Sequence, residues 1–71
     1  MDRVMAASVN ALMLEFSAKL DDSLNQVMKS CSSDDFDRYR SAVSKILEVM
    51  LYEIMNPIYK SYPDIKPKQL D

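Results

Sequence analysis

The fold is decided by residues 43–55, which read Val-Ser-Lys-Ile-Leu-Glu-Val-Met-Leu-Tyr-Glu-Ile-Met and form the most apolar run of the chain. On a helical wheel at about 100° per residue, six of these side chains share one broad stripe. They are Val43, Ile46, Leu47, Met50, Leu51 and Ile54. Val49, Tyr52 and Met55 fall outside it, where a surface helix is normally polar. This excess predicts a helix that is covered on more than one side.

An earlier helix is predicted over about residues 2–30, with Asp2 as its cap. Its apolar side chains recur every three or four residues, the period of one helix face. They are Val9, Met13, Phe16, Leu20, Leu24, Val27 and Cys31. Because Cys31 continues this stripe at the end of the helix, it is expected to pack in the core and not to act as a reactive thiol.

The first helix carries a second apolar row, roughly 150° away from the main stripe on the wheel. The row consists of Ala7, Ala11, Leu14 and Ala18, again spaced by four, three and four residues. Small residues in such a row allow another helix to approach closely. Alanines are also good helix formers on a solvated surface, so the row has two interpretations.

The break between the helices is predicted at residues 31–35, where Ser32 and Asp35 resemble a capping box. The second helix should then span about residues 33–56. Pro57 lacks an N–H and disfavours helical geometry at Asn56, so the helix should kink or end there, with a possible further turn to residue 61. Residues 63–71 read as an extended tail.

The predicted fold is therefore all-α: an antiparallel two-helix hairpin over residues 1–62. A chain of 71 residues has little core, and small domains usually gain stability from disulfides, metals or oligomerisation. With one cysteine and no histidine, neither an internal disulfide nor a typical structural zinc site is expected. Oligomerisation remains, and we predict a homodimer that forms a four-helix bundle.

The predicted interface lies at the open end of the hairpin, where the chain termini meet. In an antiparallel pair, the start of the first helix lies beside the end of the second. The second apolar row of the first helix and the apolar side chains outside the stripe of the second helix therefore lie at the same end. The predicted interface residues are Ala7, Ala11, Leu14, Ala18, Val49, Tyr52, Met55 and Tyr59.

Composition argues against several functions. Without glycine the chain has no phosphate-binding loop, and without histidine it has few groups for acid–base chemistry, so we expect no enzyme, cofactor, metal site or small-molecule substrate. No apolar run is long enough for a membrane span. The net charge of −2 makes nucleic acid an unlikely partner, and a lone cysteine suits the cytoplasm.

The leading hypothesis is a small non-enzymatic protein–protein interaction module: an adaptor, inhibitor, immunity protein or regulatory subunit. Its partners would be a second copy of itself and another protein. The alternative is a nucleic-acid-associated regulator. It would use the basic side chains Arg38, Arg40 and Lys45, doubled by dimerisation.

Overall fold

A computed structural model of the chain describes residues 1–67. Helix α1 spans Arg3–Ser30 and helix α2 spans Ser33–Val49. A π-helical segment, Met50–Met55, follows α2 without interruption and leads into a short helix α3, Asn56–Ser61. A single 3-10 turn, Pro63–Ile65, is the last helical element in the described part of the chain. The predicted helix boundaries agree with these within a residue or two, including the further turn to residue 61.

The two helices begin where their capping side chains predict. The Asp2 carboxylate accepts a hydrogen bond of 2.8 Å from the Met5 N–H at the start of α1. The Ser32 hydroxyl accepts one of 3.2 Å from the Asp35 N–H at the start of α2. Each bond satisfies an N–H that has no partner within the helix, which fixes the first residue of each element.

The helices form an antiparallel hairpin, as hydrogen bonds along its length show. Ser23 and Tyr39 meet near the turn, whereas Tyr59 reaches back to Asn10 near the termini. Closer still to the termini, the Tyr62 hydroxyl donates to the Met1 carbonyl at 2.9 Å. The predicted two-helix architecture is confirmed, and the body it forms is elongated, with extents of 44 × 21 × 16 Å.

Pro57 does not end the second helix, because the turn before it is widened. Proline cannot donate to the carbonyl four residues earlier, and its ring crowds that carbonyl in a regular α-helix. In the turn just before the proline, the Asn56 N–H bonds to the Leu51 carbonyl, five residues back, rather than to the carbonyl four residues back. Asn56 keeps helical angles, φ −60° and ψ −44°, so the expected departure from α geometry at this residue is wrong.

The π-helical segment also rotates everything that follows it. A turn closed over five residues contains one residue more than an α-turn, so later side chains lag by about 100° on the wheel. Met55 and Tyr59 thereby turn toward α1, and they are only 5% and 7% exposed. Their assignment to an outer interface was wrong, because a regular wheel cannot anticipate this phase shift.

The core lies at the open end of the hairpin. Its buried members are Ala6, Met13, Met50, Met55, Ile58 and Tyr59. Tyr62 and Ile65 pack against this cluster from the C-terminal segment, so residues 63–65 form a docked 3-10 turn where an extended tail was expected. Residues 68–71 of the predicted tail lie outside the described part of the chain.

Candidate interaction surface

The hairpin leaves many large hydrophobic side chains in contact with solvent. Seven hydrophobic residues are buried in the described chain, whereas ten large ones are exposed. Single exposed hydrophobic residues are ordinary, but a contiguous exposed group marks a surface that meets another molecule. The arrangement of the exposed residues therefore decides whether the hairpin has such a surface.

Five of the exposed residues lie along one side of the hairpin. Leu12 and Phe16 are four residues apart on α1, and Met5 precedes Leu12 by seven, so all three lie within about 40° on the wheel. Ile46 and Val49 are three residues apart on the facing edge of α2. We call this set the seam face: Met5, Leu12, Phe16, Ile46 and Val49.

A groove joins the two halves of the seam face. Phe16 and Leu20 from α1 and Ile46 from α2 line it, together with Met50, which is buried beneath. Phe16 is 45% exposed and Ile46 is 49% exposed, so about half of each side chain remains in contact with solvent. An apolar groove between two helices is the shape that receives a side chain from a third helix.

Polar groups within the groove are already paired. The Ser23 hydroxyl donates to the Leu20 carbonyl at 2.7 Å, and the Tyr39 hydroxyl lies 2.6 Å from the same Ser23 oxygen. Because Ser23 has a single hydroxyl proton, Tyr39 is the donor in the second bond. The groove therefore offers apolar contact rather than unpaired hydrogen-bonding groups.

The predicted open-end interface is only partly present as a surface. Ala11, Leu14 and Ala18 are exposed on α1, as are Val49 and Tyr52 on the second helix, and Ala7 is half-buried. Met55 and Tyr59 belong to the core instead. The alanine row lies on the side of α1 opposite to Leu12 and Phe16, roughly 150° away by the wheel.

The sequence carries a signal for the seam face that the two predicted apolar rows do not capture. Phe16 and Ile46 were expected in the core stripes, and Leu12 and Met5 belong to neither row of the first helix. Met5, Leu12 and Phe16 form a row at the edge of the main stripe. Apolar residues at such an edge make the stripe wider than one facing helix can cover, which predicts an exposed border.

The open end holds a buried polar pair. Asn10 is buried, and its side-chain oxygen accepts a 2.5 Å hydrogen bond from the Tyr59 hydroxyl. Burial raises the pKa of Tyr59 above its ordinary value, because the phenolate would lose its hydration. A neutral tyrosine bonded to an amide is a structural pair, and it fixes how the end of the second helix packs on α1.

An exposed ion pair lies beside this end. The Arg3 guanidinium donates to the Asp64 carboxylate, which attaches the 3-10 turn to the start of α1. The hydrogen bond from Arg3 holds the pKa of Asp64 below its usual range, and the same bond raises the pKa of Arg3. Both side chains are solvated, so water and salt screen this contact.

The basic side chains of α2 do not form an uninterrupted cationic surface. Arg38 and Lys45 line a shallow depression that also contains Asp37, and Arg40 is exposed. Interleaved acidic groups reduce the potential that a phosphate backbone would meet. Within residues 1–67, no cluster of three histidine, cysteine, aspartate or glutamate side chains is arranged to hold a metal ion.

Cys31 is exposed, and the prediction that it packs in the core was wrong. It is the C-terminal cap of α1, with extended backbone angles, and its N–H bonds to the Val27 carbonyl. The chain leaves the helix at this residue, so the side chain leaves the helical stripe with it.

None of the helices in the described range combines the length and the hydropathy needed to span a membrane. The chain matches no known family model, no curated protein and no solved structure. Any function proposed for the chain therefore rests on the surface itself.

Proposed function

We propose that this chain is a small non-enzymatic protein–protein interaction module that acts in the cytoplasm as a homodimer. One observation supports the proposal above the others: within residues 1–67, more large hydrophobic residues are exposed than buried, and the helical wheel places five of the exposed ones on the seam face. Because the driving force for association is the removal of apolar surface from water, such a face favours a partner polypeptide. The single cysteine suits a reducing compartment.

The small size of the core also supports the proposal that the hairpin is stabilised by association with a partner. A 71-residue domain has little buried apolar area to offset the conformational entropy lost on folding, and oligomerisation is one of the common sources of additional stability. Two hairpins packed face to face form a four-helix bundle, in which each hairpin covers apolar surface of the other. Within this proposal, the dimer is the form that contacts any further protein.

Sedimentation equilibrium over a wide range of protein concentration tests the proposal. We expect a mass of roughly twice the 8.2 kDa chain mass at micromolar concentration, and a melting temperature that rises with protein concentration. The association should change little between low and high salt, because it depends on apolar contact. A compact monomer that melts cooperatively at a concentration-independent temperature would contradict the proposal.

A further inference from the structure

We infer that the seam face is the surface on which a second copy of this chain docks, with Phe16 and Ile46 at the centre of the contact. This inference rests on the proposed function, since it names the surface and the occupant of the proposed dimer. It departs from the open-end interface that the sequence predicts, because two members of that interface are buried within the hairpin itself.

The position of the face favours a symmetric contact. Phe16 lies at the midpoint of α1, Arg3–Ser30, and Ile46 lies near the midpoint of the continuous helical path between Ser33 and Ser61. A two-fold axis places the same patch of each copy against the other. Contacts centred on Phe16 and Ile46, near the middle of a body 44 Å long, allow two copies to overlap along most of their length under such an axis, with Met5 at the open-end edge of the contact.

The chain exposes more surface than a compact folded protein of its mass, and the excess is similar to the area that one partner buries in a dimer interface. Folded monomeric proteins of this mass expose about 4,500 Å² according to the scaling of accessible surface with mass. This chain exposes 5392 Å², an excess of about 900 Å² over that scaling. One partner in a standard stable interface buries about 800 Å², which is of the same order as this excess, to which the elongated shape of the hairpin also contributes.

The charges beside the groove suit a copy of the same chain. Lys19 borders the groove on α1 and forms a 3.2 Å ion pair with Glu15, in which both side chains are exposed. On α2, Lys45 shares its depression with Asp37 and Ile46. A border that carries both signs of charge meets its own copy without strong repulsion, and it gives no special advantage to a strongly acidic or strongly basic partner.

The variant Phe16→Glu tests the inference against a matched control, Leu14→Glu. Both changes introduce the same side chain on α1 two residues apart, and glutamate is a good helix former. Phe16 lies on the seam face, whereas Leu14, also exposed, belongs to the row on the other side of the helix. We expect Phe16→Glu to weaken dimerisation by about a hundredfold or more, as loss of a central aromatic contact does, and Leu14→Glu to dimerise like the parent chain.

The outcomes separate the two proposals. A monomeric parent chain would contradict the proposed function and this inference together. A dimeric parent in which Leu14→Glu dissociates and Phe16→Glu does not would overturn the seam face and leave the dimer standing, and equal behaviour of the two variants would overturn it as well. If circular dichroism shows that Phe16→Glu has lost its helices, Ile46→Glu on the second helix decides by the same criteria.

Discussion

The two ends of the hairpin are built differently, although the same two helices form both. At the open end, six buried residues form one cluster, and a third element, the Pro63–Ile65 turn, lies against it. Toward the turn that joins α1 and α2, Val43 is the buried hydrophobic residue, while Val27 and Phe36 are only half-buried and Met28 is 53% exposed. Side-chain burial is therefore concentrated where the chain termini meet.

The difference shows what a third element adds to a pair of helices. Two helices can bury only the side chains that lie directly between them, so residues at the borders of each apolar stripe stay half exposed. At the open end Tyr62 and Ile65 cover one border, and the side chains beneath become buried. The interactions of the turn end include the Ser32 cap, which is local, and the hydrogen bond between Ser23 and Tyr39, which joins the two helices.

The largest expected difference between the ends comes from truncating a methionine at each. Met55→Ala removes a buried side chain from the core, which should lower the free energy of unfolding by about 2–5 kcal/mol. Met28→Ala acts on an exposed side chain and should change it by about 0.5 kcal/mol or less. Urea denaturation of both variants at one protein concentration measures the contrast, and similar losses would mean that the two ends are equally packed.

A smaller contrast is expected from removing one tyrosine hydroxyl at each end. Tyr59→Phe leaves the buried Asn10 oxygen without its partner, which should cost about 1–3 kcal/mol. Tyr39→Phe leaves the half-buried Ser23 oxygen within reach of water, so the loss should be about 1 kcal/mol or less. The same denaturation experiment checks both, and a greater loss for Tyr39→Phe would contradict the concentration of buried contacts at the open end.

The buried tyrosine also predicts how stability depends on pH. The pKa of Tyr59 is raised in the folded chain, so the folded state holds this proton more tightly than the unfolded state. Its contribution is complete below the ordinary tyrosine pKa of about 10 and is lost as the pH rises through the raised folded-state value. Melting temperatures measured between neutral and strongly alkaline pH should fall less steeply in Tyr59→Phe. If the melting temperatures of the two proteins fall in parallel with pH, Tyr59 ionises as readily in the folded chain as in the unfolded chain.

Much of the fold could be predicted from local sequence patterns. The parts that could not be predicted depend on backbone geometry that these patterns do not describe. The period of the apolar residues and the capping chemistry of Asp2 and Ser32 are local properties, and they predicted both helices and the turn between them. The widened turn ahead of Pro57 depends on how the backbone accommodates a missing N–H, which the helical wheel does not contain. For that reason the helical wheel predicted the exposure of Val49 and Tyr52 but not the burial of Met55 and Tyr59.

The spacing of apolar residues did not predict the docking of the C-terminal segment either. Tyr62 and Ile65 are isolated apolar residues among prolines and charges, so no stripe marks them. They bury surface only because the hairpin brings residues 1–6 beside residues 58–65, a contact between positions far apart in the sequence. Interactions of this kind depend on the finished fold and have no local signature.

The smallest expected effect comes from the ion pair that attaches this segment. The hydrogen bond from Arg3 lowers the pKa of Asp64. The contribution of this carboxylate to stability is therefore complete above the ordinary carboxyl pKa of about 4 and is lost as the pH falls through the lowered folded-state value. Asp64→Asn should therefore reduce the melting temperature slightly at neutral pH and low salt, and the difference should shrink in high salt, because both partners are solvated. Asp22→Asn changes the net charge equally on an exposed position of α1 and provides the control. If Asp64→Asn destabilises the chain as strongly as Met55→Ala, or keeps its effect in high salt, the pair is part of the packed open end rather than a solvated contact beside it.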